Sequence, residues 1–196
     1  ANGGLKKEYY VSRQKVEWEP EGRKWLSEVL LEVIRSTSFG AESRVQRFYK
    51  NGGVEAVFNE IELIESDYVK SIYASIFLER NELNKSELVQ VLRGISNEID
   101  SDYYLSNILK DNARIFLKDE ETSVEYFNAV QKIGSDYYAA VVLKEALQDG
   151  MFTEKQAAAI VNAAKSIGSD YYMASVFTEV MQKEDVSDEI ILSIIN

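Results

Sequence analysis

Ile133-Gly134-Ser135-Asp136-Tyr137-Tyr138 returns as Ile167-Gly168-Ser169-Asp170-Tyr171-Tyr172 and as Ile99-Asp100-Ser101-Asp102-Tyr103-Tyr104, with a looser copy at Ile64-Glu65-Ser66-Asp67-Tyr68-Val69. The serines are separated by steps of 35, 34 and 34 residues. A constant motif at a constant period is the mark of stacked structural repeats. Each unit contains two helical stretches. After Ser135-Asp136 comes an apolar run through Leu147, then the break Asp149-Gly150, then Thr153 to Gln156 opening a second run through Ala164. Ser followed by Asp reads as an N-cap with a carboxylate at the positive helix end, and Thr153 with Gln156 reads as a capping box. Asn84 with Glu87 and Thr122 with Glu125 predict the same box in two earlier units.

A single helix pair cannot cover its own apolar face, so neighbouring pairs must stack. The columns agree with stacking. Small residues recur at Ser71, Ser106, Ala140 and Ala174, where helices approach closely. Tyr73, Ile108, Val142 and Val176 form a second column, beside Ala74, Leu109, Leu143 and Phe177. A degenerate unit precedes these: Ala41 to Lys50 is a short helix stopped by Asn51-Gly52-Gly53, and Val54 to Leu63 is its partner. Before it, Pro20 suits a first helical turn, and Trp25, Leu26, Val29, Leu30, Val33 and Ile34 predict an amphipathic helix that caps the first layer.

The fold expected is therefore all-α, a right-handed α/α superhelix of the HEAT, armadillo or tetratricopeptide kind. It has about five helix pairs, near 36–64, 65–98, 99–132, 133–166 and 167–196, and a capping helix at 20–35. Residues 1–19 read as an extended remnant in which Tyr9-Tyr10-Val11 and Val16-Glu17-Trp18 pair as a short hairpin. The Trp, Leu-Gly, Tyr and Pro signature of tetratricopeptide repeats is missing, and no proline follows Pro20. The Ile-x-Ser-Asp-Tyr units resemble repeats of uncharacterised bacterial α/α proteins, similar regions of which accompany some envelope metallopeptidases of the BlaR type. Trp25 to Tyr73, with Ile34-Arg35-Ser36-Thr37, Ala41-Glu42-Ser43-Arg44-Val45 and Gly52-Gly53, carries most of that likeness. The resemblance implies a bacterial origin, leans toward the periplasm or envelope with the cytoplasm still open, and brings no catalytic residue.

Composition removes many chemistries. The 196 residues include no His and no Cys, which excludes Ser-His-Asp and Cys-His nucleophiles, HExxH zinc sites and disulfides. No GxGxxG or GxxxxGK phosphate cradle and no EF-hand loop occurs, so no enzymatic activity, metal or cofactor is expected. No apolar run approaches the roughly 18–20 residues of a membrane helix. The net charge of −11 is unevenly placed: residues 1–50 carry 10 basic and 7 acidic side chains, residues 51–196 carry 12 and 26. The acidic array disfavours nucleic acid and favours a basic protein or peptide.

Seven of the twelve tyrosines lie in the repeated motif, at 68, 103, 104, 137, 138, 171 and 172. Successive layers of such pairs make an aromatic ladder suited to an extended peptide or a glycan. The candidate binding residues are Tyr104, Tyr138 and Tyr172 with Asp102, Asp136 and Asp170; packing and helix capping explain the same columns without a ligand. The last helix, Glu189 to Asn196, is apolar on most sides through Ile190, Ile191, Ile194 and Ile195, which predicts either an interface, such as a homodimer, or deep seating on the last layer. Three functions follow from these features: an interaction scaffold within a larger protein, an envelope sensor using the tyrosine ladder, and a structural spacer.

Overall fold

Helix starts at Ser, Asn, Asp and Thr divide the chain at the predicted period, and two helices stop at Asn81 and Asn112. A computed structural model describes residues 7–148, 153–183 and 186–195. Two short antiparallel strands, β1 (Tyr9–Val11) and β2 (Gln14–Val16), pair Tyr9 with Val16 through a two-residue turn at Ser12 and Arg13, both at positive φ. One wide helical turn over Trp18–Gly22 leads into α1 (Arg23–Ser36). Then come α2 (Ala41–Glu62), α3 (Asp67–Arg80), α4 (Lys85–Glu98), α5 (Asp102–Asp111), α6 (Ala113–Phe116), α7 (Glu120–Val130), α8 (Asp136–Gln148), α9 (Glu154–Ala164), α10 (Asp170–Met181) and α11 (Asp188–Ile195). Among the described residues the protein is predominantly helical, as the sequence predicts.

Two rows of helices lie side by side. In one row α3 packs on α5, α5 on α8 and α8 on α10; in the other α2 packs on α4, α4 on α7, α7 on α9 and α9 on α11. The predicted break at Gly52-Gly53 divides α2, because Gly53 takes φ +67°, a conformation that L side chains rarely adopt. Between layers of the second row, Gly94 of α4 faces Phe58 of α2 so closely that a Cβ there would lie 2.3 Å from the ring. The column Tyr73, Ile108, Val142 and Val176 is buried at every layer, and one continuous apolar core runs from Ala41 to Ile190. Each such side chain contributes about 1.5–3 kcal/mol of transfer free energy.

Several local expectations are corrected. The second strand is Gln14–Val16 rather than 16–18. Thr122 does not cap α7; Asp119 does, accepting from the Glu121 N–H at 2.9 Å, while buried Thr122 donates to the Asp119 carbonyl. Asn84 and Thr153 form the predicted boxes with Glu87 and Gln156. Ser66, Ser101 and Ser169 occupy the N-cap position but make no side-chain cap bond. Their ψ angles of 113–117° turn the hydroxyl away from the geometry of Asp119, Asn84 and Thr153, whose ψ values are 145–170°. The unit from 99 is interrupted at Asn112, whose side chain donates to the Ile108 carbonyl and separates α5 from α6.

The capping helix also differs from expectation. No residue of α1 is buried, and Trp25, Leu30 and Val33 of its stripe are exposed. The helix contacts mainly the turn at Trp18–Gly22. The exposed side of α2 carries Glu42, Ser43, Arg47 and Lys50, which offer little apolar surface for a lid to cover.

Candidate ligand-binding edge

The first turns of α3, α5, α8 and α10 lie along one edge of the stack, and each carries the Tyr motif. Successive residues on a helix point about 100° apart, so the two tyrosines of a pair diverge. Tyr68, Tyr103, Tyr137 and Tyr171 are the outward rings, 54, 51, 50 and 75% exposed. Tyr104, Tyr138 and Tyr172, the residues singled out from sequence, are half-buried and pack against the core. The correction follows from the direction of the row: the second tyrosine faces the preceding layer, where Tyr104 meets Tyr68, Tyr138 meets Tyr103 and Tyr172 meets Tyr137.

All seven rings touch in one zigzag. Tyr68 meets Tyr104 at 5.9 Å between ring centres, Tyr104 meets Tyr103 at 5.1 Å and Tyr103 meets Tyr138 at 6.0 Å. The path continues from Tyr138 to Tyr137 at 5.2 Å, to Tyr172 at 5.8 Å and to Tyr171 at 5.2 Å. Most of these contacts are edge-to-face, each worth about 0.5–1.5 kcal/mol beyond area burial. The rings are thus held by one another. None of the seven hydroxyls bonds to another described residue, which leaves a row of phenol groups presented to solvent.

The aspartates beside them act across layers. Asp67 accepts from the Ser101 N–H at 2.7 Å, Asp102 from the Gly134 N–H at 2.9 Å and Asp136 from the Gly168 N–H at 2.9 Å. Each carboxylate therefore clamps the loop that opens the next unit. Asp170 makes no such bond among the described residues and is exposed. No three acidic side chains among the described residues gather closely enough to hold a metal ion.

The opposite row is tied by polar contacts between layers. Tyr49 donates to Glu87 at 2.8 Å, which raises the Tyr49 pKa. Lys85 reaches Asp119 at 3.0 Å and Glu121 at 2.9 Å, and its hydrogen bond, followed by the Glu121 N–H, lowers the Asp119 pKa. Gln156 donates to the Leu117 carbonyl at 2.9 Å and to Ser123 at 3.2 Å, beside a cleft of about 360 Å³ floored by Val124, Phe127 and Ala159. Exposed pairs such as Lys155 with Glu120 contribute little to stability.

Sequence reading missed one buried charge cluster. Glu60 of α2, 6% exposed, receives Arg44 and also Arg35 of α1, the latter at 3.1 and 3.2 Å. Arg44 lies over the Tyr73 ring, and burial pushes the Tyr73 hydroxyl pKa up while Arg44 draws it down. The signal was present: Glu60 interrupts the helical stripe Val57, Ile61 and Ile64, and Arg44 sits between Ala41 and Val45. Of the last helix, Ile190 is buried, Ile194 packs on the core, Ile191 is half-buried and Ile195 is 72% exposed. No helix among the described residues is long and apolar enough to cross a membrane.

Comparison with known protein families, with curated proteins and with solved structures gives no match to this chain.

Proposed function

We propose that the chain is a non-enzymatic interaction scaffold, a right-handed α/α superhelix of about five helix pairs within a larger bacterial protein. Its tyrosine edge receives an extended, basic peptide segment. The observation that supports this reading is the row Tyr68, Tyr103, Tyr137 and Tyr171: each residue is half or more exposed, and no hydroxyl is bonded to a described residue. Rings held in place by their neighbours lose little freedom when a ligand stacks on them, and exposed phenols match the alternating donors and acceptors of a peptide backbone. The −14 balance of residues 51–196 speeds the approach of a basic chain.

Titration with lysine- and arginine-rich peptides, beside neutral oligosaccharides, tests the reading. Replacing Tyr103 and Tyr137 together with Leu is expected to weaken peptide binding about tenfold, or 1.4 kcal/mol, with an unchanged helical circular dichroism spectrum. Binding should also weaken as salt rises. Peptide affinity indifferent to these substitutions would reject the proposal. Oligosaccharide binding in its place would favour the sensor reading, and loss of folding in the double variant would favour the spacer.

A further inference from the structure

The outward rings of the tyrosine edge stay open where the stack continues past them. Tyr68, Tyr103 and Tyr137 are each half or more exposed, although α5, α8 and α10 pack on the helices that carry them. Their exposure therefore belongs to the middle of the row and is no effect of its last layer. Between each two of them lies a half-buried ring that touches both: Tyr104 between Tyr68 and Tyr103, and Tyr138 between Tyr103 and Tyr137. The edge is corrugated, with raised rings alternating with recessed ones.

The pitch of that corrugation selects among extended ligands. The contacts through Tyr104, at 5.9 and 5.1 Å, hold the centres of Tyr68 and Tyr103 within about 11 Å of each other, and those through Tyr138 do the same for Tyr103 and Tyr137. Packed helix axes lie about 8–10 Å apart, so a raised ring recurs roughly every 8–11 Å. A β-strand returns the same face every two residues, about 6.7 Å, or every four, about 13 Å, and falls out of step. A polyproline II helix returns the same face every three residues, about 9.3 Å, and keeps step.

The polar chemistry agrees. An α-helix returns a face after seven residues, about 10.5 Å, but its carbonyls are already bonded. Polyproline II has no internal hydrogen bonds, so its carbonyls are free acceptors. The hydroxyls of Tyr68, Tyr103 and Tyr137 bond no other described residue and can donate to them. Glu65 and Asp100 stand exposed three residues before Tyr68 and Tyr103, which suits lysine or arginine in the ligand.

We propose, resting on the peptide-binding reading above, that the ligand of the tyrosine edge is a proline-rich basic segment in the polyproline II conformation. One proline per turn sits over a recessed ring, and the raised tyrosines donate to the carbonyls beside it. A segment that is already extended loses little freedom on docking, so a shallow aromatic surface suffices. The 196 residues contain a single proline, Pro20, so a second copy of them offers no such segment.

The probe is a peptide of four Pro-Pro-Lys triplets, titrated into the full chain by calorimetry beside four Gly-Ser-Lys triplets, which match it in length and charge but have no preformed turn. The proline peptide is expected to bind about tenfold more tightly or better. Its affinity should rise with each triplet added from two to four, a comparison that needs no variant. Tyr103→Phe with Tyr137→Phe keeps the rings and removes two donors, and should weaken the proline peptide about tenfold with an unchanged circular dichroism spectrum. Equal binding of the two peptides, lost when Tyr103 and Tyr137 are both replaced with Leu, would overturn the polyproline assignment and leave the peptide edge standing. Binding of neither peptide would overturn both. Affinity that is flat with length, or indifferent to the Phe substitutions, would place the proline peptide elsewhere on the chain and overturn the proposal.

Discussion

The N-terminal arm and the stacked array use the same ingredients and bury them to different extents. Helix α1 carries an amphipathic stripe as regular as any in the array, yet none of its residues is buried, while α4 buries Val89, Val91, Leu92 and Ile95. The difference lies in neighbours. Each interior helix has a layer before it and a layer after it, whereas α1 meets a hairpin, one turn and the end of α2. Amphipathicity prepares a helix for burial, but only a matching apolar surface completes it.

Glu60 is the joint between the two regions, so its replacement should have the largest effect. Glu60→Gln leaves Arg35 and Arg44 without their shared carboxylate, and about 3–5 kcal/mol of stability should be lost in denaturant unfolding. A loss below 1 kcal/mol would mean that arm and array are joined by something other than this cluster. Leu109→Ala, in the buried seam of α5, should cost about 2–5 kcal/mol by the same measurement. Asp102→Asn keeps the shape of an interlayer clamp and removes its charge, and about 1–2 kcal/mol is expected because the bond runs from a backbone N–H to a carboxylate. Faster amide exchange at Gly134 should accompany that loss.

Leu30→Ala, on the exposed stripe of α1, should stay within about 0.5 kcal/mol of the unsubstituted chain. A cost near that of Leu109→Ala would show that the arm packs as tightly as the array and would erase the contrast.

Much of the architecture was legible. The Ser-Asp-Tyr-Tyr motif located the starts of α3, α5, α8 and α10 to the residue, because the motif and the helix boundary repeat together. Gly52-Gly53 marked the break in α2, and two of the three capping boxes form as read. The tasks of the motif residues were less legible. The serines were read as caps, which Ser135 is, accepting from the Tyr138 N–H at 3.5 Å, while Ser66, Ser101 and Ser169 make no such bond; the aspartates were read as dipole partners, yet the acceptor role of Asp102 is set by a loop 32 residues further on. The outward tyrosine was also misjudged, since adjacent helical positions differ only in angle and the sequence does not say which angle faces solvent. Glu60 stood out only as a polar interruption, because its two arginine partners lie 16 and 25 residues away.

The sequence by itself determined the period, the helix starts and stops, the apolar columns and the acidic balance of the array. These depend on side-chain chemistry and on spacing within one or two turns. Tertiary structure alone decided that Asp102 holds its neighbour's backbone, that Tyr103 rather than Tyr104 looks outward, that α1 lies off the stack, and that columns covered at Leu147 and Val161 stand open at Met181 and Ile195. The reason is physical: burial and hydrogen-bond partnership belong to a position in the stack, so one motif is core in the middle and surface at the end.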